Sequence, residues 1–206
     1  MKNYKTIKDN LNNCDLCIVT KHRSKDQIMT YYDLGERIFG ENKAQELLTK
    51  IDLPSDIKWH FIGRLQKNKV RSIIKYVECI QSVDSYELAK VINKEALRIN
   101  KTVDILVQFN IAQEETKTGI SYEEAVSFIE SLSEFKNINI KGIMLMGPHT
   151  DNTDEIEKVF KKGKQLFDFL KSKYSSIDTL SMGMSDDYML GVKNGSTMVR
   201  IGSLLF

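Results

Sequence analysis

The chain is poor in the residues that cross-link, break or anchor a fold. Three cysteines among 206 residues, Cys14, Cys17 and Cys79, cannot all pair. Cys14 and Cys17 form a lone C-x-x-C with no second pair and no histidine cluster to complete a zinc site, so reduced thiols are expected. Only two prolines occur, Pro54 and Pro148, both where loops are expected. No Gly/Ser/Pro-rich linker, low-complexity tract or longer repeat divides the chain, which predicts one domain over 1–206. No apolar run approaches the ~20 residues of a membrane span, and the N-terminus has no signal-peptide core, so a cytoplasmic protein is expected. Neither sign of charge dominates: 30 Lys and Arg against 28 Asp and Glu leave +2. That balance gives no broad field to recruit nucleic acid or a membrane surface.

What the chain does contain is alternation. Short apolar runs of strand length fall at 16–20, 37–40, 58–63, 79–83, 103–110, 138–146, 179–184 and 197–201. Between them lie segments of helical period at 26–34, 42–50, 86–99, 122–132 and 155–174, and one more helix precedes the first run, at 4–12. Eight β units alternating with helices predict a parallel sheet, and eight is the number that closes into a (β/α)8 TIM-type barrel. A doubly wound open sheet is the runner-up. No helix is expected after the eighth strand, a gap that the N-terminal helix would fill.

In such a barrel, function gathers where strands end and βα loops begin. Lys21 ends the first run. A lysine there can be desolvated, which favours the neutral amine that forms an imine with an aldehyde, although an ordinary surface lysine is the commoner case. Ser181, Gly183 and Ser185 put small residues at every second position of the seventh strand, with Ser185 and Asp186 suited to cap a helix. Gly202 and Ser203 form the matching feature of the eighth strand. Loops after strands seven and eight commonly hold a phosphate, and a tight capped turn is the competing reading. Arg200 lies in an otherwise apolar strand and needs a partner: either a buried ion pair or a ligand ring nitrogen that accepts from it. His60 is a core histidine or a cavity-lining one. The basic run from Arg64 to Arg71 lacks interleaved aromatics and reads as a solvated helix face.

These residues resemble one family nearly end to end. Its carriers are Val19-Thr20-Lys21, Phe39-Gly40-Glu41-Asn42 with Gln45 and Glu46, and Trp59 to Gly63 with Leu65, Gln66, Asn68 and Lys69. Asn110 and Ile111 with Glu114, Lys117 and Gly119 follow, then Leu180 to Asp187 and Gly195 to Ser203. They are similar to the pyridoxal 5′-phosphate (PLP) homeostasis proteins, the YggS/PROSC (PLPBP) family. The resemblance implies a barrel similar to the alanine racemase N-terminal domain, with PLP held as a Schiff base on Lys21. It also implies that Asn42 flanks the cofactor ring, Arg200 faces the pyridine nitrogen, and Ser181, Gly202 and Ser203 hold the phosphate. His60 and Met184 would line the cavity. Lys117 belongs to a family motif and stands outside the direct site. The chain departs from the pattern after Ser203, where it reads Leu204-Leu205-Phe206 instead of a further Gly, an Arg and a tail, and after the lysine, where His22 and Arg23 replace small polar residues.

The expected role is a carrier in vitamin B6 homeostasis that catalyses no amino-acid reaction, with free amines or apo PLP-dependent enzymes as acceptors. The alternative is a PLP-dependent amino-acid racemase. Racemisation needs proton delivery to both faces of a carbanion, and in alanine racemase a second domain and the partner subunit supply one base. Residues for that domain are missing from this chain, which favours the carrier and a monomer. A PLP-independent Schiff-base aldolase is a weaker third reading.

Overall fold

The computed structural model of the chain describes residues 2–112 and 118–206. Helices and strands alternate as α1 (Lys2–Leu11), β1 (Asp15–Val19), α2 (Lys25–Asp33), β2 (Ile38–Glu41), α3 (Ala44–Leu48), β3 (Lys58–Phe61), α4 (Lys67–Ile73) and β4 (Val77–Val83). They continue as α5 (Tyr86–Arg98), β5 (Val103–Phe109), α6 (Ala125–Ser131), β6 (Ile138–Leu145), α7 (Thr153–Lys173), β7 (Thr179–Met184), α8 (Tyr188–Lys193) and β8 (Met198–Ile201). Every neighbouring pair is parallel, and β8 pairs with β1 through Leu16 opposite Val199 and Cys17 opposite Arg200. That last pairing closes the barrel and rules out the open sheet.

Period-two alternation sorts each strand into two faces. One face packs under the helices in a single large core that includes Ile18, Phe39, Trp59, Ile105, Ile143, Leu180 and Val199. The other faces the barrel interior, where Cys79, Leu106 and Met144 form a small separate cluster. Because both faces are covered, the strands read as nearly continuous apolar runs. Local signals fix where helices start. Ser24 and Gln27 form a reciprocal capping box on α2, Ser85 accepts from the Leu88 amide on α5, and Asn152 accepts from the Asp154 and Glu155 amides on α7. Helix α1 buries Ile7 and Leu11 and lies against α8 and β1, the gap left after β8.

Two helices start later than the periodicity predicts. The segment 42–50 is helical only at Ala44–Leu48, because Lys43 is extended and the chain leaves the helix at Thr49. The segment 122–132 is helical from Ala125, since Ser121 and Glu124 are engaged in a side-chain turn of their own. The basic run falls on α4, whose Val70 and Ile73 are buried while Lys67 and Arg71 are exposed. All three cysteines are free and buried. No helix among the described residues is long and apolar enough to cross a membrane.

Candidate functional site

The C-terminal ends of the strands bring the expected residues to one mouth. Strand β1 ends at Val19 and the chain turns through Lys21 and His22. Lys21 is exposed, with no hydrogen bond or ion pair among the described residues. The desolvation expected of it is therefore not met: the strand stops two residues earlier and the turn lifts the side chain out of the apolar layer. Beside it, Gly202 comes so close to β1 that a Cβ there would stand 3.2 Å from the Cβ of Val19. The lysine turn and the Gly202-Ser203 turn are thus direct neighbours. Asn42, just past β2, is half-buried, and its Oδ1 has no hydrogen-bond partner.

A polar layer crosses the barrel interior below this mouth. Arg200 on β8 is buried; its Nη1 donates to the Ser181 carbonyl at 3.0 Å and to Ser181 Oγ at 2.6 Å, and its Nη2 donates to the Leu145 carbonyl at 3.1 Å. Ser181 Oγ donates in turn to Gln81 Oε1 at 2.7 Å, and Gln81 Nε2 lies 2.8 Å from His60 Nδ1. An amide nitrogen can only donate, so Nδ1 is the acceptor and the His60 proton sits on Nε2. The chain of bonds has one direction, from guanidinium through hydroxyl and amide to imidazole. Burial lowers the His60 pKa from 6.5 to about 4, with Lys58 adding to the effect, and His60 is neutral at pH 7.

Of the two readings of Arg200, the ion pair is not observed among the described residues. Carbonyls and a hydroxyl satisfy three of its five N–H groups, which leaves Nε–H and one Nη2–H free to donate. Burial lowers its pKa from 12.5 to about 10, opposed by the fields of Cys17 and Asp187, so the cation persists. Ser181, expected to hold a phosphate directly, is fully buried and its hydroxyl is committed to Arg200 and Gln81. Its Oγ and carbonyl both brace the guanidinium.

The two turns at strands seven and eight have the chemistry of an anion cradle. Gly183 adopts φ +97°, a left-handed conformation, and an added Cβ would sit 3.0 Å from Tyr188 Cα. Glycine is required there to turn β7 into α8. The helix does not start at the expected caps: Asp187 is the N-cap residue, and its Oδ1 accepts from the Met184 amide at 2.6 Å. The turn winds one residue further than the sequence suggests, which frees Ser185 Oγ to accept from the Gly202 amide at 3.3 Å and tie the turns together. The backbone N–H groups of Ser185, Asp186, Ser203 and Leu204 donate to no acceptor among the described residues. Free amides on two linked turns favour a phosphate. Met184 is exposed on the rim of a cleft that also includes Met146 and Asp187.

Sequence reasoning missed Gln81, which nothing marks in an apolar strand 100 residues from its partner Ser181. Arg23 stands 4.9 Å over the Phe206 ring, so its charge is stacked beside the mouth. Glu114 and Lys117 lie outside the described residues.

Fold and site define an alanine racemase-type barrel: the family model for the alanine racemase N-terminal domain matches residues 1–206. An alanine racemase of Clostridium difficile 630, complexed with cycloserine, superposes with a TM-score of 0.84 at 18% identity over 99% of this chain and 58% of its own, a likeness of fold alone. PipY of Synechococcus elongatus PCC7942 is nearer. Its structure without PLP has a TM-score of 0.93 at 29% identity, covering 100% of this chain and 98% of that one, and its PLP-bound structure has a TM-score of 0.90. A pyridoxal phosphate homeostasis protein of Helicobacter pylori is 41% identical over 194 residues, 91% of this chain and 85% of the relative. The chain belongs to the pyridoxal phosphate homeostasis protein family.

Proposed function

We propose that this protein holds PLP as a Schiff base on Lys21 and serves intracellular PLP homeostasis without catalysing an amino-acid reaction. One observation carries the reading: an unpaired lysine amine, a buried guanidinium with free donors and two turns of free amides surround the mouth of a barrel whose relative PipY was solved with PLP bound. PLP supplies an aldehyde. With PLP bound, Lys21 would supply the amine that condenses with this aldehyde, with loss of water. The free amides of the turns after β7 and β8, at Ser185, Asp186, Ser203 and Leu204, receive the phosphate, and the Gly202 amide links the two turns through Ser185 Oγ; Asn42, His60 and Met184 flank the ring.

Arg200 donates to the ring nitrogen, with Ser181 holding it in place. Because a guanidinium gives up its proton far less readily than a carboxylic acid, the ring nitrogen stays unprotonated and withdraws electrons weakly. A site built this way holds the cofactor and stabilises a substrate carbanion only weakly. The protein then acts in the cytoplasm as a monomer, and free amines or apo PLP-dependent enzymes are its acceptors.

The test is a visible absorption spectrum of protein incubated with PLP, before and after borohydride reduction, with Lys21→Ala beside it. A band erased by reduction and a covalent adduct mapped to Lys21 are expected; an identical spectrum from Lys21→Ala refutes the site. Loaded protein incubated with L-amino acids is expected to form no D-enantiomer, and sustained production would establish the racemase instead.

A further inference from the structure

The two peptide groups that flank Lys21 are gripped by one buried charge cluster. The carbonyl on its N-terminal side, that of Thr20, accepts from Lys50 Nζ at 2.8 Å. The amide on its C-terminal side, that of His22, donates to Glu46 Oε1. Lys50 Nζ joins these contacts, 2.5 Å from Glu41 Oε1 and 3.0 Å from Glu46 Oε1. Thr20 Oγ1 closes the ring by donating to Glu41 Oε1 at 2.6 Å and to the Gly40 carbonyl at 3.2 Å. Thr20, Glu41 and Lys50 are buried, and Glu46 is half-buried on α3. Burial pushes the Glu41 carboxyl upward, and Lys50 and Thr20 offset this only in part.

For stability alone this is a poor use of buried charge, because an apolar set of the same volume commonly does as well or better. The cluster fixes backbone direction. His22 sits at φ +60°, a conformation that a non-glycine residue adopts only when its surroundings hold it there. With both neighbouring peptide planes held, the Cα–Cβ bond of Lys21 has one direction while its side chain stays free of partners.

We propose that Glu41, Lys50 and Glu46 form a positioning clamp that aims Lys21 at its aldehyde partner and sets how readily a free amine removes it. The proposal rests on the reading of Lys21 as the imine-forming residue. A lysine held in the attacking geometry re-forms its bond before the ligand escapes, the effective-concentration advantage of an intramolecular group. A loosened turn loses that advantage although the phosphate cradle and Arg200 remain intact.

The experiment follows the visible band of PLP-loaded protein after addition of excess L-alanine, in wild type, Glu46→Ala, Glu46→Gln and Lys50→Met. Glu46→Ala releases the His22 amide and takes away one of the two carboxylates on Lys50 Nζ; Glu46→Gln keeps an oxygen that can accept from both. The expected result is loss of PLP about 10-fold faster in Glu46→Ala, restored to within about 3-fold of wild type in Glu46→Gln, and faster still in Lys50→Met. Thermal melting of the ligand-free proteins controls for folding, and an unfolded Lys50→Met leaves the decision to the Glu46 pair. A Glu46→Ala protein that melts lower but exchanges PLP within about 2-fold of wild type makes the cluster structural only and overturns the proposal. Wild type without a reducible adduct on Lys21 overturns the underlying reading and this proposal with it; an adduct in wild type with unchanged exchange in the variants overturns this proposal alone.

Discussion

His60 supplies the prediction with the most direct arithmetic. Its folded-state pKa of about 4 lies below the 6.5 of an unperturbed imidazole because the ring is buried and the Lys58 charge adds to the effect. Above pH 6.5 neither the folded nor the unfolded chain is protonated at this residue, and its contribution to stability is fully present. Between 6.5 and about 4 the unfolded chain binds the proton and the folded one does not, so stability falls as pH falls. The integrated loss is about 3 kcal/mol at about 1.4 kcal/mol per pH unit. For a domain of this size that is a drop of about 6–12 °C in Tm between pH 7 and pH 4 from His60 alone. Burial raises the Glu41 and Asp187 carboxyls as well, so the difference between wild type and His60→Asn isolates the residue. Asparagine keeps an acceptor oxygen near the Nδ1 position for Gln81 but has no proton to bind. Calorimetry across the pH range is expected to give a flatter curve for His60→Asn. Nitrogen chemical shifts of the imidazole are expected to report an Nε2–H tautomer and a midpoint near 4. A midpoint between 6 and 7, or parallel curves for the two proteins, would refute the buried network.

Two further outcomes follow from the same geometry. Gln81→Leu keeps the volume but leaves the His60 Nδ1 acceptor and the Ser181 hydroxyl donor unpaired; calorimetry is expected to give a loss of about 2–4 kcal/mol, with weaker PLP binding as Ser181, no longer held by Gln81, braces the Arg200 guanidinium less firmly. Gly183→Ala places a Cβ at φ +97° against the Tyr188 backbone. It is expected to destabilise the fold by about 1–3 kcal/mol and to speed PLP release in an exchange assay, while Lys21 still reacts with borohydride.

The alternation of apolar runs and helical segments was legible because a parallel strand covered on both faces must be apolar throughout, and amphipathic helices must cover it. Eight such runs, each near its observed position, carried the barrel, and the residues at their C-terminal ends carried the mouth. Lys21, Asn42, Arg200 and the Gly202-Ser203 turn are read from position along single strands. What each of them does depends on partners that the sequence holds far away. The family resemblance implied Ser181 as a phosphate ligand; only the closed barrel brings it under Arg200 and against Gln81, 100 residues earlier. Nothing in the sequence pairs Glu41, in the Phe39-Gly40-Glu41-Asn42 motif, with Lys50, the last residue of the helical segment 42–50. They become a buried pair because α3 stops at Leu48 and the chain carries Lys50 inward beneath Thr20. Periodicity is a local property and is written in the order of residues. Hydrogen-bond partners across a barrel are set by which strands close on which, and that is decided only when β8 meets β1.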